Sequence, residues 1–302
     1  ETPPAQDTFG FLAEEWFAHH SPRLDPGYAS KVRTRLDKHV LPKISNTPMN
    51  EISSALVLSL CRDVESTGAY EIAHRVRQIV GMVCRYAIVT GRADNDPTTA
   101  LKGALQPTKN EHYATITDRE GIRTLIRSIE VYGGVLVRLA LKFSALTFCR
   151  PGEIRRAEWS EIEGDLWKIP AEKMKMHRAH LVPLSRQALA VLAELRPLTG
   201  RGRFLFPSAR NDGRTMSENT IRVALRSMGY TNDDMTAHGF RAMASTVLNE
   251  NGWSSDIIEK QLAHVEGNSV RAAYNHAEYL PQRREMMQWW ADWLEGIKKA
   301  PA

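Results

Sequence analysis

Apolar side chains recur every three or four positions through roughly the first ninety residues. Phe9, Leu12 and Trp16 make one stripe, and Tyr28, Val32, Leu36 and Val40 make a second. Such spacing puts each set on one face of an α-helix. Pro42 has no N–H to donate and is expected to stop the second helix. The segment "SSALVLSLCRDVEST" reads as a third helix. Ile72, Val76, Ile79, Val83 and Ala87 stripe a long fourth, which Gly91 is expected to close in a left-handed conformation. Four helices with one apolar face each predict a small bundle.

The pattern then breaks. Residues 91–114, "GRADNDPTTALKGALQPTKNEHYA", gather Gly, Pro, Asn and Thr without periodicity and read as an interdomain linker. Helical signals restart at Thr117, with Glu120 placed for a capping box. In "GDLWKIP" and "HRAHLVPLS" polar and apolar residues alternate on either side of "AEKMKM", as in a β-hairpin. Helices resume at Arg186 and near Ser217, Ala237, Ser255 and Pro281. The last carries Met286, Trp290, Trp293 and Ile297 on one stripe, able to dock on its own domain or on a neighbouring copy. The expected architecture is mainly α with a small β-sheet: a helical domain over 1–108 and a mixed α+β domain over 109–302 ending in that helix.

Composition narrows the class. The chain has 302 residues, 42% hydrophobic and 25% charged, enough for two ordinary soluble domains. No apolar run reaches the roughly eighteen residues of a membrane span, and "ETPPAQDTFG" has no signal-peptide pattern. Cys61, Cys84 and Cys149 are odd in number and widely spaced, which suggests neither a disulfide framework nor a zinc pair. A reducing cytoplasm is the expected compartment.

The net charge of +5 is modest, but its placement is informative. "KVRTRLDKHVLPK" holds five Lys/Arg against one Asp, and "KMKMHRAHLVPLSR" holds four with no acid. Separate basic clusters suit a polyanion touching several surfaces. Lys31, Arg33, Arg35, Lys38, Lys173, Arg178 and Arg222 are the candidate DNA contacts.

Candidate chemistry is concentrated in the second domain. Arg150 precedes Pro151-Gly152, which places a guanidinium at a helix start, where anions collect; a plain ion pair with Glu153 is the simpler alternative. His238 and Arg241 stand one helical turn apart. Arginine has no lone pair for a metal, yet this couple can hold a phosphate and move a proton. His264 follows an apolar pair and precedes a Gly-Asn turn. "SVRAAYNHAEYL" then offers two hydroxyls, Tyr274 and Tyr279. His177 and His180 could suggest a metal nuclease, but alternation in a strand would turn them to opposite faces. No metal or other cofactor is expected.

In order and type, "RPGEIRRAEWSEI", "IPAEKMKMHRAHLVPLS", "HGFRAMASTVLNE" and "LAHVEGNSVRAAYNHAEYL" resemble the tyrosine recombinase (phage integrase) family, especially the branch carried by genomic islands and satellite phages. The resemblance implies a core-type DNA-binding domain followed by a catalytic domain. It maps Arg150 and Arg241 onto the two catalytic arginines, His238 onto the histidine of His-x-x-Arg, His264 onto the third-motif position and Tyr274 onto the nucleophile. Lys173 and Lys175 both lie in the hairpin; counting back from "LVP" favours Lys175.

The implied reaction is integration or excision of a mobile element through a 3′-phosphotyrosine, without metal or ATP. Its expected partners are double-stranded DNA attachment sites, a homotetramer in the synaptic complex, and DNA-bending accessory factors. By the same resemblance His238 is the base, Lys175 the acid for the leaving 5′-oxygen, and His264 a hydrogen-bond donor to the scissile phosphate. Tyr279 reads as an aromatic anchor for the last helix. An N-terminal arm-binding domain of that branch would end about where this chain begins. A non-catalytic DNA-binding protein and a type IB topoisomerase are the competing readings.

Overall fold

The computed structural model describes residues 7–108, 114–174, 176–209, 211–264 and 279–299. The chain divides into two compact units, Glu1–Asn110 and Glu111–Ala302.

The first unit is the expected bundle. Its helices are α1 (Phe9–His20), α2 (Pro26–Arg35), α3 (Leu41–Ile44), α4 (Ser54–Glu65) and α5 (Tyr70–Val89). Phe9, Leu12, Val32, Leu36, Val57, Val76, Val80 and Val83 are fully buried at its centre. Pro42 does not stop the second helix. Leu36–Val40 winds as a π turn between α2 and α3, with the N–H of Leu41 reaching back to the Leu36 carbonyl. The wider turn shifts the hydrogen-bond register just ahead of a residue that cannot donate, so the path continues to Ile44.

The supposed linker also differs. Arg92 pairs with Glu15, Asp96 takes Arg85 and the Thr98 hydroxyl, and Leu101 and Leu105 are buried in the bundle core. Aperiodic sequence here is an ordered strap held by point contacts. Gly91 does adopt the left-handed conformation that closes α5 (φ +72°).

The second unit contains α6 (Arg119–Glu130), α7 (Val135–Thr147) and α8 (Pro151–Arg155). A three-stranded antiparallel sheet follows: β1 (Ile162–Glu163), β2 (Leu166–Ile169) and β3 (His180–Pro183). Trp167 faces Val182, and Ile169 faces His180. Then come α9 (Arg186–Thr199), the small pair β4 (Pro207–Ser208) and β5 (Asn211–Thr215), α10 (Thr220–Ser227), α11 (Gly239–Glu250), α12 (Ser255–Gln261) and α13 (Leu280–Lys299). The cap of α6 is Asp118, whose carboxylate accepts the Gly121 N–H at 2.8 Å, in place of the expected Thr117–Glu120 box. Asp118 sits one residue nearer the helix and accepts as well as a threonine.

Helix α13 docks on its own unit, against α6, α7, α9, α12 and β3. Met286, Met287, Trp290, Ala291, Leu294 and Ile297 are buried, while Trp293 flanks the stripe and stacks on Trp290. Burial of each large side chain contributes about 1.5–3 kcal/mol. Arg283 lies on the same face and is fully buried. Its guanidinium donates to the Gln261 carboxamide oxygen (2.7 and 3.0 Å) and to the Leu181 carbonyl, joining α13 to α12 and β3.

The end of α12 positions the site. Ala263 takes a left-handed conformation (φ +50°), the Ala263 N–H bonds to the Lys260 carbonyl, and the His264 N–H reaches the Glu259 carbonyl. This is a Schellman turn with alanine where glycine is usual. The Gln261 carbonyl accepts from the buried His180 ring at 3.1 Å, so His180 Nε2 carries the proton. Burial first, then Arg283, drives the His180 pKa down from 6.5 to about 3.

Two consequences are measurable. Ala263→Gly removes the left-handed Cβ penalty of about 1–2 kcal/mol, partly offset by unfolded-chain entropy. It should stabilise by about 0.5–1 kcal/mol in urea melts; an unchanged or lower midpoint would contradict the strain. His180 is neutral in the fold but protonated in the unfolded chain below 6.5. Stability should therefore fall as pH drops from 6.5 towards 3, by on the order of 4 kcal/mol. His180→Gln should flatten that acid slope; an identical slope would place the titration elsewhere.

Candidate active site

Arg150 begins the short helix α8 as its N-cap. Its backbone N–H and one guanidinium nitrogen donate to the two oxygens of Glu153, at 2.9 and 2.8 Å. The local ion pair weighed from sequence is therefore present, with Glu153 itself buried. It is not the whole arrangement, because the other guanidinium nitrogen donates to the Ala263 carbonyl, 3.1 Å away and 113 residues along the chain.

Arg241, in the first turn of α11, is 9% exposed. One nitrogen donates to the Phe148 carbonyl at 3.0 Å; the other meets the Leu262 carbonyl at 2.6 Å and His264 Nε2 at 3.2 Å. Phe148 presents its carbonyl because it too is left-handed (φ +41°) at the end of α7, its ring fully buried edge-on to Trp290. Two arginines thus rest on the adjacent carbonyls of residues 262 and 263. Carbonyls at a helix C-terminus lack intrahelical partners and carry partial negative charge, so they suit cations. Burial lowers the Arg241 pKa from its usual value, but a guanidinium starts far enough above neutrality to stay charged.

His238 caps the N-terminus of α11, half-buried. Desolvation, then the charges of Arg241 and Arg150, lower its pKa below 6.5. At neutral pH its imidazole is unprotonated and can accept a proton. His264 directs Nδ1 to the Glu259 carboxylate at 2.6 Å and Nε2 to Arg241. Arg150, His238, Arg241 and His264 are therefore brought together. Lys175 and Tyr274 lie outside the described residues. Tyr279 stands at the start of α13, where its carbonyl accepts the Arg283 N–H.

Lys173, one of the expected DNA contacts, is enclosed by acceptors of its own unit. Its ammonium is held by Glu158 at 2.5 Å, by Glu161 and by the Arg156 carbonyl, with only 17% of the side chain exposed. Arg33, another of them, is bidentate on Asp37, bonded to Glu14 and stacked over Phe17. Lys31, Lys38, Arg178 and Arg222 are exposed and Arg35 partly so. His177 precedes β3 on the surface while His180 is buried, so the two do not share an environment.

Sequence reasoning missed the supports. Gln261, Arg283 and the structural role of His180 are buried links among α12, α13 and β3, and Glu259 touches His264. Arg283 left one legible trace: it shares the helical face of Met286, Met287 and Trp290, an unusual place for a charge. Among the described residues, no helix is long and apolar enough to cross a membrane.

Comparison with known proteins places the chain in a family. The phage integrase central domain matches residues 9–104, and the phage integrase family matches residues 117–280. The integrase of Enterobacteria phage P4 is 39% identical over 305 residues, covering 95% of this chain and 69% of that protein. A lambda integrase (75-356) dimer bound to a COC′ core site has a TM-score of 0.70 at 16% identity, over 86% of this chain and 96% of that one. A lambda integrase tetramer bound to a Holliday junction has a TM-score of 0.69 at 17% identity, over 87% and 79%. With the helical unit matching the central domain and the arginine–histidine cluster lying inside the second match, the chain belongs to the phage integrase family and is a tyrosine-type site-specific DNA recombinase.

Proposed function

We propose that the protein cuts and rejoins double-stranded DNA attachment sites through a covalent 3′-phosphotyrosine on Tyr274. The observation that carries this is the seating of Arg150 and Arg241 on the adjacent carbonyls of Ala263 and Leu262. Arg241 hydrogen-bonds to carbonyls and an imidazole nitrogen. Those acceptors are neutral, so its charge remains for an anion. Two fixed guanidiniums suit the two non-bridging oxygens of a phosphodiester, whose charge grows as phosphorus becomes five-coordinate.

In the forward step the Tyr274 oxygen bonds to phosphorus and the bond from phosphorus to the 5′-oxygen breaks. The phenolic proton passes to His238, and Lys175 supplies a proton to the leaving 5′-hydroxyl. Rejoining reverses both transfers. The phosphotyrosine retains the energy of the broken diester, so no nucleotide is consumed. Lambda integrase is known as a dimer on a core site and as a tetramer on a Holliday junction; by analogy, four copies of this chain would exchange strands between two sites. Lys31, Arg35, Lys38, Arg178 and Arg222 would contact the DNA backbone, which fixes register more than sequence.

A nicked suicide attachment site in EDTA should yield a denaturant-resistant protein–DNA adduct with wild type and Tyr279→Phe, and none with Tyr274→Phe. Adduct that survives in Tyr274→Phe but vanishes in Tyr279→Phe would reverse the assignment. Loss of wild-type activity in EDTA would favour a metal nuclease. Arg241→Ala should slow cleavage roughly 10²–10³-fold.

The lowered His238 pKa gives a signed pH effect. The second-order cleavage rate constant, which reports the free protein, should fall on an acid limb whose midpoint lies below 6.5. An acid limb centred above 6.5 would rule out His238, as placed here, as the base.

A further inference from the structure

We infer that Thr115 and Gly239 are positioning residues for His238: the segment leading into α6 clamps the turn that carries this histidine. The kinetic consequence rests on the recombinase reading above, but the geometry stands independently. Residues 114 and 115 cross the start of α11. The Ala114 carbonyl accepts from Thr236 twice, from its N–H at 3.2 Å and from its hydroxyl at 3.4 Å. The Thr115 hydroxyl donates to the Gly239 carbonyl at 2.8 Å, 124 residues along the chain. Thr236 itself closes the turn, taking the Gly239 N–H on its hydroxyl oxygen at 3.0 Å and on its carbonyl at 2.9 Å. His238 therefore lies between two backbone positions, 236 and 239, that are tied to one crossing segment.

The crossing accounts for the glycine of "HGFR". Gly239 is buried in the first turn of a helix, so its backbone conformation is open to any residue. Space is what excludes a side chain. A Cβ at this position would lie 2.7 Å from the Ala114 carbonyl oxygen and 2.7 Å from the Met235 sulfur. Optimal contacts of this kind are about 3.5–4.0 Å. Met235 is fully buried and Ala114 is held by Thr236, so neither gives way freely. Beyond the crossing, Ile116 packs against the core of the second unit and anchors the segment from its other end.

A base must stand within hydrogen-bond reach of the proton it takes. Misplacing a reacting group by about 1 Å costs roughly 10²-fold. The clamp also fixes the surroundings of the imidazole, which is half-buried and faces Arg241 on its own helix and Arg150 and Glu153 on α8. Thr115→Val keeps the shape of the side chain and removes only the bond to Gly239.

The test pairs single-turnover cleavage of a nicked suicide site with a proton NMR titration of the His238 ring in the full protein without DNA. Thr115→Val should slow cleavage roughly tenfold, about the most that one neutral hydrogen bond supplies, at unchanged affinity for the site. Its His238 midpoint should rise towards 6.5, because a loosened turn lets water reach the ring. Thr115→Ser, which keeps the hydroxyl, should match wild type in both measurements. Gly239→Ala should cleave roughly 10²-fold more slowly. Thr115→Val with a wild-type rate, or Thr115→Ser as slow as Thr115→Val, would overturn the proposal. So would a lower melting temperature with an unmoved midpoint, which is what a purely structural hydrogen bond produces. Wild-type protein that never cleaves would defeat the recombinase mechanism separately, and the titration would still decide: a raised midpoint in Thr115→Val upholds the clamp and an unmoved one defeats it.

Discussion

Three consecutive carbonyls at the end of α12 receive three side chains from three other elements. Gln261 takes His180 of β3, Leu262 takes Arg241 of α11, and Ala263 takes Arg150 at the head of α8. A helix C-terminus necessarily exposes carbonyls without intrahelical partners, and burying them unsatisfied would be costly. This protein satisfies them with one neutral histidine and two arginines. The result is mutual: the helix end is stabilised by the arginines, and the arginines are immobilised by the helix end. Because a preorganised donor needs no rearrangement when charge develops on a phosphate, the same hydrogen bonds that complete the fold also prepare the chemistry.

Backbone strain belongs to this device. Phe148 and Ala263 are both left-handed without being glycine, and both turn a carbonyl towards an arginine. At Phe148 the surrounding core holds the strained turn, through a fully buried ring packed against Trp290. Trp290 also donates to the Ala145 carbonyl of α7, so the final helix supports the turn that supports Arg241. Arg283 adds a second tie from α13 to the carboxamide of Gln261. The last helix thus reaches the site twice through the interior without contributing a residue to it.

Most elements were legible from apolar spacing: the bundle helices, the hairpin and the long final helix all stand close to where the stripes place them. The misses share a cause. Pro42 was read as a stop because a local rule cannot anticipate a π turn that absorbs the missing donor. The segment after Gly91 was read as linker because point contacts such as Arg92 with Glu15 leave no period in a sequence. The intramolecular partners of Lys173 and Arg33 were likewise not legible, because folding sets them. Glu158 and Glu161 stand beside Lys173 only once β1 has paired.

By itself the sequence determined the fold class and the family, and it singled out the candidate site residues, since periodicity and motif order are properties of a linear chain. Arg150, His238, Arg241 and His264 could be named from their types and order alone. Only the tertiary structure decided what those residues are bonded to. A guanidinium at position 150 meets a carbonyl at 263 because α8 and α12 are packed side by side. His264 meets both Arg241 and Glu259 because the turn that ends α12 carries it to them. Hydrogen-bond direction depends on which groups face each other in space, and chain order does not encode that.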